Sequence, residues 1–364
     1  MPSVITDNSR LSRAAQQLLV FTFLIGAFLF LPAKADAAAC GSEIYAALRS
    51  PDIKTVQPIQ IHCDIALSKS DVVRQRLYFN GSQSSGVTFD CGGATIDGTL
   101  RDALTIAIVS QQRPDHSWDA PKGVTIKNCT IKGDLRVQGL TANAQGDWLR
   151  QSSVQKGHTE RAQADAPSDI TLSNIDFIST GRIPLYVGIG TTGLTLLNSH
   201  FYGKLAGTAI YMEAESGMNK ILDNTFDIQS NREDIAVDGS AKNIIANNTF
   251  INARNGGIFL YRNCGENGII RHQPPQGNLI FDNTFKYAQG TRPEPSIWLN
   301  SRNGNSPVCS KDPKYPFGSS LSNLDFAKFN IVSGNRLIGN VDIKSMIKND
   351  DSSNNVHDNI VSPH

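Results

Sequence analysis

Short runs of Ile, Leu, Val and Phe, broken by Asn, Gly or Asp, recur along most of the chain. VTIKNCTI, ITLSNIDF, LTLLNSHF, KILDNTF, IIANNTF, LIFDNTF, IVSGNRL and NVHDNIV read as one phrase written eight times. Aligned on Asn128, Asn174, Asn198, Asn224, Asn248, Asn283, Asn335 and Asn359, the copies lie 46, 24, 26, 24, 35, 52 and 24 residues apart. The unit is therefore about 24 residues, and the longer gaps hold an insertion or a second unit. A fixed period of this size marks a solenoid. Within the runs, apolar and polar positions alternate with period two, which predicts strands and not helices. A leucine-rich repeat would need its L-x-x-L-x-L pattern and a helix-forming half, and a propeller blade would need about twice the period. The remaining solution is an all-β, single-domain right-handed parallel β-helix, one coil per unit, with coils stacked at roughly 4.8 Å. The repeated Asn is expected to form an amide ladder at one corner, and Phe177, Phe201, Phe226, Phe250 and Phe285 to stack inside.

A second strand follows each phrase: IPLYVGI, TAIYMEAE, DIAVDGS, GIFLYRN and SIWLNSR. Aligned on Leu185, Ile210, Ile235, Ile258 and Ile297, these strands turn only apolar residues inward. Outward, one row reads Tyr186, Tyr211, Ala236, Phe259, Trp298, and the next reads Gly188, Glu213, Asp238, Tyr261, Asn300. The aromatic row is expected to be exposed as a platform for sugar rings; the competing expectation is that an inserted loop covers it as a second small core. Glu213 and Asp238 fall on adjacent rungs, roughly 5 Å apart at Cβ. Like charges so placed call for a proton, a shared cation or basic neighbours. Arg232, Arg254, Arg262, Arg302 and Lys220 fall near strand ends, and Glu215 and Asp234 are further carboxylates on the same face.

Composition adds the compartment. Arg10 and Arg13 precede the apolar run Leu18–Leu31 and the small-residue stretch PAKADAAAC, the layout of a signal peptide over 1–37. The run is short for a membrane span, so a periplasmic or secreted protein without stable membrane insertion is expected. All six cysteines follow that segment. An even count in an exported chain favours disulfides over metal or thiol chemistry. Stacked coils bring sequential cysteines together, predicting Cys40–Cys63, Cys91–Cys129 and Cys264–Cys309. Residues 38–85 lack the Asn phrase and are expected to cap the first coil, with a short helix near 42–49; the β-helix is expected over 86–364. Thirty-four basic residues against thirty-three acidic ones give no global field, and no nucleotide or nucleic-acid pattern is present. A monomer is expected.

The N-[TS]-F phrases and the opening DCGGATIDG, over roughly residues 85–360, resemble the right-handed β-helix superfamily that includes pectate lyases, polygalacturonases, alginate lyases and mannuronan epimerases. The chain has no D-P-H-D and no G-H-G motif of those families, so the resemblance carries no catalytic residue across, and fold alone does not set chemistry. The residues themselves suggest an acidic polysaccharide, acted on by β-elimination or C5-epimerisation. Glu213, Asp238, Tyr261, Arg262 and His272 are the catalytic candidates, and Tyr186, Tyr211, Phe259, Trp298, Arg232, Arg254 and Arg302 the binding candidates. No cofactor is required, but Glu213 and Asp238 could hold Ca²⁺. Two alternatives stand beside this: a glycoside hydrolase using Glu213 and Asp238, and a polysaccharide-binding adhesin without catalysis. Insertions over 263–277 and 300–329, bridged by Cys264–Cys309, are expected to build one wall carrying Arg262, Glu266, Arg271 and His272, with a third insertion within 141–168 opposite.

Overall fold

The computed structural model describes residues 37–52, 57–100, 104–141, 145–305 and 312–363. Apart from Ala37, the expected signal segment lies outside the described residues, and among those described no helix is long and apolar enough to cross a membrane. Every coil contributes one strand to a ten-stranded parallel sheet. Numbered along this sheet alone, its strands are β1 (Ile59–Gln60), β2 (Leu77–Asn80), β3 (Ile106–Val109), β4 (Leu135–Gly139), β5 (Leu185–Val187), β6 (Ile210–Met212), β7 (Ile235–Asp238), β8 (Ile258–Tyr261), β9 (Ile297–Leu299) and β10 (Ile347–Lys348). The other strands, such as Thr171–Ile178 and Thr225–Ser230, pair in a second, bent parallel sheet that closes the coil, apart from a small antiparallel pair of Gln111–Gln112 with Trp118–Asp119. This is the expected right-handed parallel β-helix.

The interior follows the repeat. The five phenylalanines are fully buried and stack face to face with centroids 4.6, 4.7, 4.7 and 4.5 Å apart. Asn224, Asn248, Asn283, Asn335 and Asn359 form an amide ladder, each Nδ2 donating to the next Oδ1 at 3.0, 2.9, 3.0 and 2.8 Å. Each of those Oδ1 atoms also accepts the preceding asparagine's backbone N–H, which satisfies a corner that is buried from Asn224 to Asn335. The first three copies of the phrase are one residue out of step with this ladder. Pairing of Phe177, Phe201 and Phe226 places Ile175, Ser199 and Asn224 together, so Asn174 and Asn198 align with Asp223. Asn128, Asn174 and Asn198 adopt left-handed backbone angles of 58°, 53° and 50°, a conformation that short polar side chains tolerate. A second ladder, through Asn219, Asn243, Asn278, Asn330 and Asn354, was not anticipated.

The cap is shorter than expected. Helix α1 (Ser42–Leu48) packs Ile44, Tyr45 and Ala47 on the core, and Cys40 is bonded to Cys63. Coiling nevertheless starts at Ile59, because β1 pairs with β2 and Ile65–Ala66 pairs with Thr88–Asp90. These two-residue strands are too short to show a period in sequence. Cys91 is bonded to Cys129 as predicted. Cys264 is also disulfide-bonded, and its expected partner Cys309 lies outside the described residues.

The 141–168 insertion folds into α2 (Asp147–Ser153) and α3 (His158–Asp165). It does not stand opposite the 263–277 loop; it packs on it. Leu149 and Ala162 share a small core with Ile269 and Ile189, Arg150 Nε donates to Asn267 O at 2.8 Å, and Ile270 N donates to Ser153 Oγ at 3.0 Å. Both insertions therefore cover the same edge of the sheet, where the strands leave it.

Candidate functional site

Strand register places the expected rows. Tyr186, Tyr211, Ala236, Phe259 and Trp298 are successive partners on β5 to β9. Their inward neighbours Leu185, Ile210, Ile235, Ile258 and Ile297 are fully buried, so the row points out. Asp238 pairs with Tyr261, and Glu213 follows Met212, the partner of Val237, so the two carboxylates stand side by side. Exposure is where the expectation fails. Ala236, Phe259 and Tyr261 close into a small core of their own, with Tyr211 and Trp298 packed at its ends. Tyr186 is buried too, leaving Tyr211 and Trp298 half-buried. The aromatic platform is thus divided in the middle.

At the Tyr186 end lies a cavity of about 200 Å³, whose wall includes Ile183, Tyr186, Tyr211, Glu213, Asn263 and Arg271. The two tyrosine rings stack in parallel, centroids 5.6 Å apart. Tyr186 donates to Glu213 Oε2, and Tyr211 donates to Asp238 Oδ2 at 2.5 Å. Arg271 Nη1 is ion-paired to Glu213 Oε1, with both side chains nearly buried. Asn263 donates its backbone N–H and its amide to Asp238, each at 2.7 Å. Burial pushes both phenols well above their usual range, reinforced by Glu213 at Tyr186 and by Asp238 at Tyr211. Burial likewise raises Asp238, opposed by Arg271 and assisted by the charge of Glu213. At Arg271 burial works against the cation, but Glu213 and then Asp238 hold its pKa above the ordinary value. The Nε of Arg271 is buried and has no hydrogen-bond partner among the described residues.

This donor set does not suit Ca²⁺, which takes about six to eight oxygen ligands. Among the described residues no third His, Cys, Asp or Glu joins the two carboxylates, and one of them, Glu213, is already paired with the Arg271 guanidinium.

Several other candidates have structural positions. Arg262 is buried; its guanidinium donates to Ser322 O and Leu324 O at 2.9 Å and lies over the Phe326 ring. His272 sits under the helical insertion, its Nε2 2.7 Å from Ser153 O and its ring against His158 and Phe317. Glu215 is held there by Thr159 Oγ1 at 2.5 Å and His272 N at 2.6 Å. Both His272 and Glu215 fasten the loop to the sheet and do not line the cavity. Arg254 belongs to a separate cleft with Asn252, Asn255 and Arg292, on the edge where strands enter the sheet. Lys220 begins a strand of the other sheet. Tyr261 turns its hydroxyl to Glu233 at 2.9 Å and to Arg232 at 3.1 Å, while Arg302 covers its ring at 3.9 Å and reaches Asn263. Tyr261, Arg232 and Arg302 therefore brace the divided middle of the row.

Three participants escaped sequence reasoning. Arg136 on β4 is the register partner of Tyr186 and lies 4.6 Å from its ring centroid; LRV has the same in-out-in pattern as LYV, which could have revealed it. Asn263 seals Asp238 from the loop. Asp325 is fully buried and accepts the backbone N–H groups of Arg262, Arg302 and Asn303 at 3.0, 2.9 and 2.7 Å, joining the two loops beside the row. No local pattern marks either of these last two.

Residues 115–308 match the family described as right handed beta helix region. The chain belongs to that family. No curated protein matches the sequence. Among solved structures, this β-helix protein is similar to PfbA, a surface adhesin of Streptococcus pneumoniae, at 13% identity and TM-score 0.48, covering 80% of this chain and 69% of that one. It is similar to an alginate lyase from Paenibacillus sp. str. FPU-7 at 13% identity and TM-score 0.43, covering 89% and 98%. The A-module of the Azotobacter vinelandii mannuronan C-5 epimerase AlgE6 gives 12% identity and TM-score 0.41, covering 83% and 81%. These likenesses describe the course of the chain and assign no chemistry.

Proposed function

We propose that the protein acts on an acidic, uronate-containing polysaccharide outside the cytoplasm, seating one uronate residue in the cavity over Tyr186 and Tyr211. The observation that carries this reading is Arg271. It lines the cavity, is buried, and keeps an Nε–H donor that nothing among the described residues accepts. A buried unpaired donor is costly; the guanidinium that carries it borders the cavity, where a turn of the head group would offer it to a ligand carboxylate. The Cys40–Cys63 and Cys91–Cys129 disulfides support an oxidising compartment.

Pairing with Arg271 would withdraw charge from the uronate carboxylate and acidify its C5–H. Tyr211 takes that proton while passing its own to Asp238, its hydrogen-bond acceptor. The C5–H electron pair forms the C4=C5 bond, the C4–O4 bond breaks, and Tyr186 protonates the departing oxygen. The tyrosinate left behind faces Arg136 and Arg271, both of which favour its charged form. Because the two parallel rings share one floor, elimination on a single face suits them better than epimerisation, which must reprotonate C5 from the opposite side.

A second reading, binding without turnover, is favoured by the closed state of the network, in which both carboxylates are buried and engaged. Incubation with alginate, pectate and hyaluronan separates the readings. New ultraviolet absorbance from the C4=C5 bond supports elimination. Reducing ends without absorbance mean hydrolysis by Glu213 and Asp238. Polysaccharide binding with neither signal supports the second reading, and no binding to any uronate polymer overturns both.

A further inference from the structure

The outward row does not end at its aromatic residues. Arg136 precedes Tyr186 in the ladder and Lys348 follows Trp298. Each end therefore pairs a ring with a cation. Arg136 lies 4.6 Å from the Tyr186 centroid, and the Lys348 ammonium lies 4.2 Å from that of Trp298. At the Trp298 end a separate cavity of about 440 Å³ is lined by Trp298, Lys344, Ile347, Lys348, Asn349 and Asp350. Its one carboxylate, Asp350, is engaged by Asn300 Nδ2 at 2.9 Å and by Asn303 Nδ2 at 3.3 Å. Neither lysine has a salt bridge among the described residues. A half-buried indole with one ammonium over its ring and a second lysine lining the same cavity is a surface for a sugar ring that carries a negative charge.

We infer that Trp298, Lys344 and Lys348 form a second subsite for an anionic sugar residue, and that the protein engages an extended acidic chain at both ends of the row. The inference rests on the uronate reading proposed above. Tyr211 and Trp298 are three rungs apart, roughly 14 Å at ~4.8 Å per rung. A pyranose chain has a residue repeat close to one rung, so an oligomer of roughly four or more residues spans both cavities. The closed middle formed by Phe259, Tyr261 and Arg302 then serves as the ridge over which the chain passes.

Two linked contacts raise affinity through effective concentration once the ligand is long enough to reach both. The test is calorimetric titration of the full-length protein with galacturonate, mannuronate and guluronate oligomers of two to eight residues. For the series that binds, affinity should rise at least about tenfold between three and six residues. Lys344→Ala combined with Lys348→Ala should remove that rise while the protein stays folded. Trp298→Phe serves as a second variant: the indole fluorescence change seen with the hexamer in the parent should disappear. An affinity independent of length, or a length dependence that survives in both variants, overturns the second subsite and leaves the uronate reading standing. Absence of binding by every oligomer and every uronate polymer overturns both.

Discussion

At the residue scale, the site is a set of buried charges that hold one another. Arg271 and Glu213 are the centre of it, since Tyr186 bonds to one and Asp238 responds to both. Removing one partner of such a pair leaves an uncompensated buried charge. Arg271→Leu should therefore destabilise the protein by about 3–5 kcal/mol, measured by urea unfolding, and adding Glu213→Gln should recover part of the loss. Asp234 gives a different response. Burial raises its carboxyl from 3.8 to about 8, Ser230 is its hydrogen-bond donor, and its Oδ2 has no partner among the described residues. Between pH 4 and 8 the unfolded chain has released this proton and the folded one has kept it. The folded state then binds more protons, so this group makes stability fall as pH rises through that window, with no further loss above it. Asp234→Asn should flatten the decline between pH 4 and 8 and be more stable than the parent at pH 8, read from denaturation midpoints across pH.

At the scale of elements, strands were legible and loops were not. Period two alone separated Ile235 and Val237, both fully buried, from Ala236 and Asp238 on the outer side. The Asn ladder was legible where Asn and Phe recur together, and slipped by one residue where Ser199 and Ile175 replace the amide. The second ladder was visible as an asparagine five residues before each of Asn224, Asn248, Asn283, Asn335 and Asn359. Side-chain direction within the insertions has no period to reveal it. Arg262 and His272 have reactive chemistry, yet their partners are backbone carbonyls of Ser322, Leu324 and Ser153, more than fifty residues away. Asp325 ties two such loops together, which gives a test. Asp325→Ala should raise amide hydrogen exchange at Arg262, Arg302 and Asn303 by at least about tenfold, the equivalent of roughly 1.4 kcal/mol lost from each bond. Exchange in β8 should be unchanged, because its hydrogen bonds run to β7 and β9.

At the scale of the whole molecule, the strands of each coil pair only with those of adjacent coils, so strand stability is largely a sum of local terms. The packed insertions over 145–168 and 263–277 are what tie distant coils together. Both fully described disulfides lie in the first coils and close spans of 23 and 38 residues. The strands they fasten are among the shortest, two residues each at Ile59–Gln60, Ile65–Ala66 and Val72–Val73. Loop-closure entropy assigns such bridges roughly 3–4 kcal/mol apiece. Reduction should therefore release residues 37–97 first, with the coils from β5 onward keeping their protection in hydrogen exchange followed by mass spectrometry.

The uninterrupted coils carrying Tyr211 and Ala236 have one further consequence. Residues 194–218 and 219–242 repeat the same path with no excursion, and the partners Tyr211 and Ala236 are 25 positions apart. Duplicating one such turn would move Trp298 away from Tyr211 by a single increment and keep the inward and outward faces of the strands. It would also pull apart the insertions over 145–168 and 263–277 that pack on each other across these coils. The protein is in that sense a graduated rule, on which reach is altered in whole notches and the two clasped insertions fix the present setting.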